Sequence, residues 1–126
     1  MNSLEIRRGD LWWIDLGATQ TSEPAFKRPV LIIQADYINR IPIETTIIAS
    51  LTTNLDLENL SGNLLLERSE TGLRRDSVVN LTQLKTVNKD ALLERIGPLS
   101  SVARFSVDRE LARVLDLPSP SSLNPP

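Results

Sequence analysis

Apolar positions fall into short runs separated by polar, glycine- or proline-marked breaks, and their period is two along most of the chain. Asp10 to Leu16 (Asp-Leu-Trp-Trp-Ile-Asp-Leu) predicts a first strand, with Trp12, Ile14 and Leu16 on one face and Leu11, Trp13 and Asp15 on the other. Apolar side chains on both faces imply cover on both sides, and both tryptophans are expected in the core. Pro29 to Ala35 predicts a second strand with almost no polar alternation, the pattern of a central, doubly buried strand. Tyr37 to Pro42 reads as a turn or short helix. Thr45 to Thr52 is a third strand that places Thr46, Ile48, Ser50 and Thr52 on one face. A polar loop from Thr53 to Gly62 leads to a short fourth strand, Asn63 to Arg68, and Ser69 to Arg75 turns around Gly72.

Ser77 to Leu81 and Gln83 to Val87 are two β-type segments with only Thr82 between them, which predicts one long strand bulged near Asn80 to Gln83. Bulges of this kind re-aim side chains beside a site. Leu93 to Leu99 is a further strand, ended by Gly97-Pro98. The period then changes. Ser100 or Ser101 is the N-cap of a helix to about Leu115, with Ala103, Val107, Leu111, Val114 and Leu115 on its apolar face and Arg109 and Arg113 opposite. Residues 1–117 thus make a single domain, mainly β with α: a small, strongly twisted, barrel-like sheet of SH3-like type capped by a C-terminal helix. Residues 118–126, rich in proline and serine, are expected to be a disordered tail.

Between the first two strands lies Thr21-Ser22-Glu23-Pro24-Ala25-Phe26-Lys27-Arg28-Pro29, a polar loop in which each proline pushes the residue before it out of helical geometry. From these residues alone the stretch reads equally as a site held by a rigid scaffold or as a solvated hairpin loop.

Composition narrows the chemistry. The chain has 126 residues and 40% apolar residues, ordinary for one globular domain, and no apolar run approaches the roughly 20 residues of a membrane span. The N-terminus has no apolar stretch behind its charges, so a cytoplasmic location is expected. With no cysteine, disulfides, thiolate zinc sites and a Cys nucleophile are excluded. With no histidine, the commonest general base and metal ligand are missing too, and no metal or cofactor is expected. A net charge of −2 argues against coating nucleic acid by bulk charge but leaves Arg7-Arg8, Lys27-Arg28 and Arg74-Arg75 for a local basic patch.

No nucleotide-binding, metalloprotease or nucleophile-elbow motif occurs, so a site rests on the loop. Arg28 can hold a phosphate in a bidentate fork and stabilise charge developing on it, Glu23 can accept a proton, and Thr52 ends the neighbouring strand. If an RNA supplies its own 2′-hydroxyl as nucleophile, neither a metal nor a protein nucleophile is needed.

Several stretches, taken in order, carry a family resemblance: Arg8-Gly9-Asp10-Leu11-Trp12-Trp13-Ile14-Asp15-Leu16, Ser22-Glu23, Lys27-Arg28-Pro29-Val30-Leu31-Ile32-Ile33-Gln34, Asn39-Arg40, Ala49-Ser50-Leu51-Thr52, Arg75-Asp76-Ser77-Val78-Val79 and Gln83-Leu84-Lys85-Thr86-Val87. From about Arg7 to Leu117 the chain resembles the MazF/PemK toxins, endoribonucleases of bacterial type II toxin–antitoxin pairs. The resemblance implies a homodimer that cuts single-stranded RNA at a short sequence, without metal, leaving a 2′,3′-cyclic phosphate and a 5′-hydroxyl. It further implies catalysis by Arg28, Thr52 and Glu23, RNA contacts from Ser22, Lys27, Arg75, Ser77 and Gln83, and a cognate antitoxin that competes for the RNA surface. The loop departs from the family's usual Gly-Ser-Glu-Gln-Gly/Ala: Thr21 and Pro24 stiffen it and remove an amide that could touch a base. The alternative is a gyrase-binding toxin of the CcdB type, which shares the fold by resemblance but depends on an aromatic C-terminal end, whereas this chain ends Leu123-Asn124-Pro125-Pro126.

Overall fold

The computed structural model describes residues 5–15 and 27–118. Among these residues seven strands form one antiparallel sheet: β1 (Asp10–Asp15), β2 (Lys27–Ile32), β3 (Thr45–Thr52), β4 (Asn63–Leu66), β5 (Ser77–Asn80), β6 (Lys85–Asn88) and β7 (Leu92–Pro98). Short helices α1 (Asp36–Asn39) and α2 (Arg68–Thr71) lie between strands, and α3 (Ser101–Leu115) closes the fold. The order is β4-β5-β3-β2-β1-β7 with β6 also on β3, so among the described residues the sheet is open, with β4, β6 and β7 at its edges, and not a closed barrel.

β3 is the strand on which the others assemble. Its run of Thr, Ile and Ala suits a strand buried on both faces. One edge carries β2, and the other carries β6 along Thr45 to Ile48 and β5 along Leu51 and Thr52. The two faces bury separate cores, as the doubly apolar first strand implied. Leu11, Leu31, Ala49, Leu51, Val79 and Leu81 pack under α3 through Ala103, Val107 and Leu111. Trp12, Ile14, Val30, Ile32 and Ile48 face the other way, covered by Ile6, Leu92, Val87 and Ala91. The buried Asp10 carboxylate ties β1 to β7 by accepting from Arg95 Nε at 2.7 Å, and this bond raises the Arg95 guanidinium above its usual pKa.

Local chemistry explains the boundaries. β2 starts two residues earlier and ends three residues earlier than its apolar run predicts, because Ile33 N and Gln34 N both turn to the Ile47 carbonyl. Asn39 then anchors α1: buried, it accepts from Gln34 Nε2 and Thr46 Oγ1 and donates to the Gln34 carbonyl. β4 stops at Leu66, since Glu67 and Glu70 form a capping box that starts α2, and Gly72 ends that helix at φ 80°. Ser100 caps α3 by accepting from Ala103 N at 3.1 Å. Leu115, expected on the buried face of α3, is half exposed because the core reaches only to Leu111, with Val114 at its margin.

The turn before β4 carries a steric constraint. Gly62 has φ +88°, and a Cβ there would overlap Thr82 Cγ2. Gly62→Ala is expected to destabilise the protein by about 1–3 kcal/mol from backbone strain and overpacking together, measured as a lower urea midpoint at unchanged slope.

Candidate active site

Pro29 lies inside β2, opposite Trp13 of β1. It has no N–H to give, and on the β3 side the β2 ladder begins only at Val30, opposite Ser50. Continued by two residues, that register sets Arg28 opposite Thr52. This is beyond the end of the β2–β3 ladder, and both residues line a cleft of about 360 Å³.

Arg28 is half-buried, with its backbone opposite Ile14. It is therefore a strand residue, as is Lys27, where the sequence suggested a loop, while Pro29, expected to open the strand, lies two residues inside it. The strand fixes the height at which the guanidinium enters the cleft. Thr52 Oγ1 accepts the Asn54 N–H at 3.1 Å, which orients the side chain and leaves the hydroxyl proton for donation to an incoming oxygen.

The far wall is the bulge anticipated between residues 80 and 83. Val79 pairs with Leu51 and Lys85 with Ile48, so the chain advances six residues while β3 moves back three. The three extra residues form a turn that buries Leu81 in the core and brings Asn80, Gln83 and Lys85 to the cleft. Gln83, read from sequence as a strand residue, sits in this turn. Sequence reasoning missed Asn80 and Lys85 as lining residues; their position on either side of the expected break was the signal available.

Successive strand residues point to opposite faces, so Lys27 and Pro29 leave Arg28 behind and line a second cleft of about 650 Å³. Trp13, Leu73 and Ile96 supply its apolar surface, and Arg74 and Arg75 supply charge. Trp13, expected in the core, is only half-buried here, with Lys27 Nζ 5.8 Å from its ring centroid. The cover over this face ends before the strand does. Ser77 is buried and its hydroxyl donates to the Arg75 carbonyl at 3.3 Å, which fixes the turn that presents Arg75.

The candidate residues thus divide. Arg28, Thr52 and Gln83 share the first cleft, while Lys27, Arg75 and Ser77 line the second; Ser22 and Glu23 lie outside the described residues. Arg28, Lys85, Lys27, Arg74 and Arg75 line the two clefts with no carboxylate among the described lining residues, in a chain whose net charge is −2. Charge has been segregated here, as for a polyanionic ligand. Among the described residues no three His, Cys, Asp or Glu side chains cluster as metal ligands do, and no helix is long and apolar enough to cross a membrane.

A family model described as PemK-like, MazF-like toxin of type II toxin–antitoxin system matches residues 7–115, a span that includes both clefts and α3. The chain belongs to this PemK/MazF family. Relatives within it include the endoribonuclease MazF2 of Mycobacterium bovis, 45% identical over 112 residues, covering 89% of this chain and 98% of the relative. Endoribonuclease EndoA of Bacillus subtilis is 34% identical over 106 residues, covering 84% and 90%. The fold agrees with that of a mycobacterial endoribonuclease solved in complex with its cognate antitoxin, at a TM-score of 0.72 and 24% identity, covering 92% of this chain and 98% of that one. PemK/MazF membership therefore rests on sequence along most of the chain as well as on fold.

Proposed function

We propose that this chain is the toxin of a type II pair: a sequence-specific endoribonuclease that cuts single-stranded RNA without a metal ion. The observation that carries this reading is the meeting of Arg28, Lys85 and the Thr52 hydroxyl in one cleft with no carboxylate among its described lining residues, within a chain of the PemK/MazF family. A phosphodiester in that cleft is held by the Arg28 fork and by a hydrogen bond from Thr52. Glu23 accepts the proton of the adjacent 2′-hydroxyl, the 2′-oxygen bonds to phosphorus, and the bond to the 5′-oxygen breaks. The products are a 2′,3′-cyclic phosphate and, once the leaving oxygen is protonated, a 5′-hydroxyl. Arg28 acts by stabilising charge on the phosphorane, since a guanidinium holds its protons too tightly to be a useful acid near neutrality.

Ser22, Lys27, Arg75 and Gln83 hold the RNA on either side of the cut, and Ser77 supports Arg75. The active form is a cytoplasmic homodimer with two RNA grooves, and a cognate antitoxin silences it by occupying the same surface.

The test is incubation of purified protein with a long single-stranded RNA in the presence of chelator, with the fragment ends identified chemically. Discrete cuts carrying 5′-hydroxyl ends are expected, and intact RNA after incubation with folded protein overturns the reading. Because the chain has no histidine, kcat/KM is expected to show no imidazole-type break between about pH 6 and 8. A sharp titration near 6.5 in the pH profile contradicts this.

A further inference from the structure

The bulge that forms one wall of the cleft is pinned by a hydrogen-bond arrangement that decides what Asn80 offers a ligand. Asn80 Oδ1 accepts twice from Thr82, from its N–H at 3.1 Å and from its hydroxyl at 2.9 Å. A backbone N–H can only donate, so the carboxamide cannot be turned round with its nitrogen toward Thr82. The turn is braced behind as well: Leu81 N donates to the Gly62 carbonyl at 3.0 Å, and Thr82 packs against Gly62. With Oδ1 occupied, Nδ2 is what Asn80 presents to the cleft it lines, and it has no partner among the described residues. Asn80 is thus a fixed, neutral, donor-only group in a cleft that it shares with the cations Arg28 and Lys85.

We propose that Asn80 is a specificity-determining residue, whose Nδ2 reads the acceptor edge of one base of the bound RNA, and that Thr82 is its positioning residue. This rests on the ribonuclease reading of the same cleft. Phosphate charge is already met by Arg28 and Lys85, and a neutral amide adds direction where a third cation would add only attraction. An NH2 group pairs with the O6 of guanine or the O4 of uracil and is opposed by the exocyclic amines of adenine and cytosine. At one nucleotide next to the cut the protein therefore selects keto bases over amino bases.

The experiment uses the full chain and a pool of single-stranded RNAs randomised around a cleavage site, comparing wild type with Asn80→Asp and Thr82→Val. Asn80→Asp keeps the Oδ1 that Thr82 holds but replaces the donor by an acceptor. Wild type is expected to prefer G or U at one position by about tenfold or more, and the Asp variant to shift that preference toward A or C. Thr82→Val removes one of the two donors on Oδ1 and is expected to narrow the wild-type preference at the same position. If the Asp variant does not fold, as judged by thermal unfolding, the Thr82→Val profile decides. A wild type without keto selectivity at any position, variants with unchanged preference, or a uniform loss across all sequences overturns the assignment; the last means that Nδ2 meets phosphate. A wild type that cuts no RNA overturns the ribonuclease reading itself, which separates the two failures.

Discussion

Arg28→Ala is expected to lower the rate of RNA cleavage by about a hundred- to a thousandfold, the size of effect seen when one preorganised group facing developing charge is removed. The argument is geometric. The β1–β2 ladder fixes the Arg28 backbone opposite Ile14, and the β2–β3 ladder starts two residues further on at Val30, so a strand of fixed register carries the guanidinium to the cleft. Arg28→Lys keeps the charge but loses the planar fork, and most of the deficit is expected to remain. The fold is expected to survive, because the residue is half-buried and belongs to neither core cluster, with unfolding free energy changed by about 1 kcal/mol or less. Cleavage kinetics and urea denaturation on the same preparations check both halves. An Arg28→Ala protein that folds and cuts at the wild-type rate removes Arg28 from the mechanism.

Much of the fold was legible because its main signals are local. β3 runs from Thr45 to Thr52 as its β-branched pattern predicts, and α3 starts behind the Ser100 cap. The bulge was readable from two β-type segments with only Thr82 between them. What sequence misjudged were properties set by neighbours. Pro29 looked like a loop boundary, yet a proline is tolerated where the adjoining ladder has not begun, and that depends on where β3 ends. Trp13 looked like core, yet periodicity says which face a side chain takes and not how far the cover on that face extends. Asn80 and Lys85 stayed hidden for the same reason: only the three-residue offset between β5 and β6 brings them beside Arg28.

Trp12→Ala is expected to cost about 3 to 5 kcal/mol, a large share of the stability of a domain this size. Trp12 is 4% exposed and is the largest side chain of the core on the face away from α3, among Ile6, Ile14, Val30 and Leu92. That core is small and lies under short segments, so its loss cannot be made up by a shift of α3. Trp12→Phe separates shape from polarity. The buried indole Nε1 has no hydrogen-bond partner among the described residues, so phenylalanine gives up some packing but also removes an orphaned donor that itself costs about 1–3 kcal/mol. The two effects oppose, and Trp12→Phe is expected within about 1 kcal/mol of wild type by urea denaturation. Trp13→Ala, on the half-buried neighbour, is expected to cost much less than Trp12→Ala. Equal losses at the two positions contradict the division of the β1 tryptophans between core and cleft. A Trp12→Phe variant as unstable as Trp12→Ala means instead that the indole N–H is partnered and that this face of the sheet is held by more than packing.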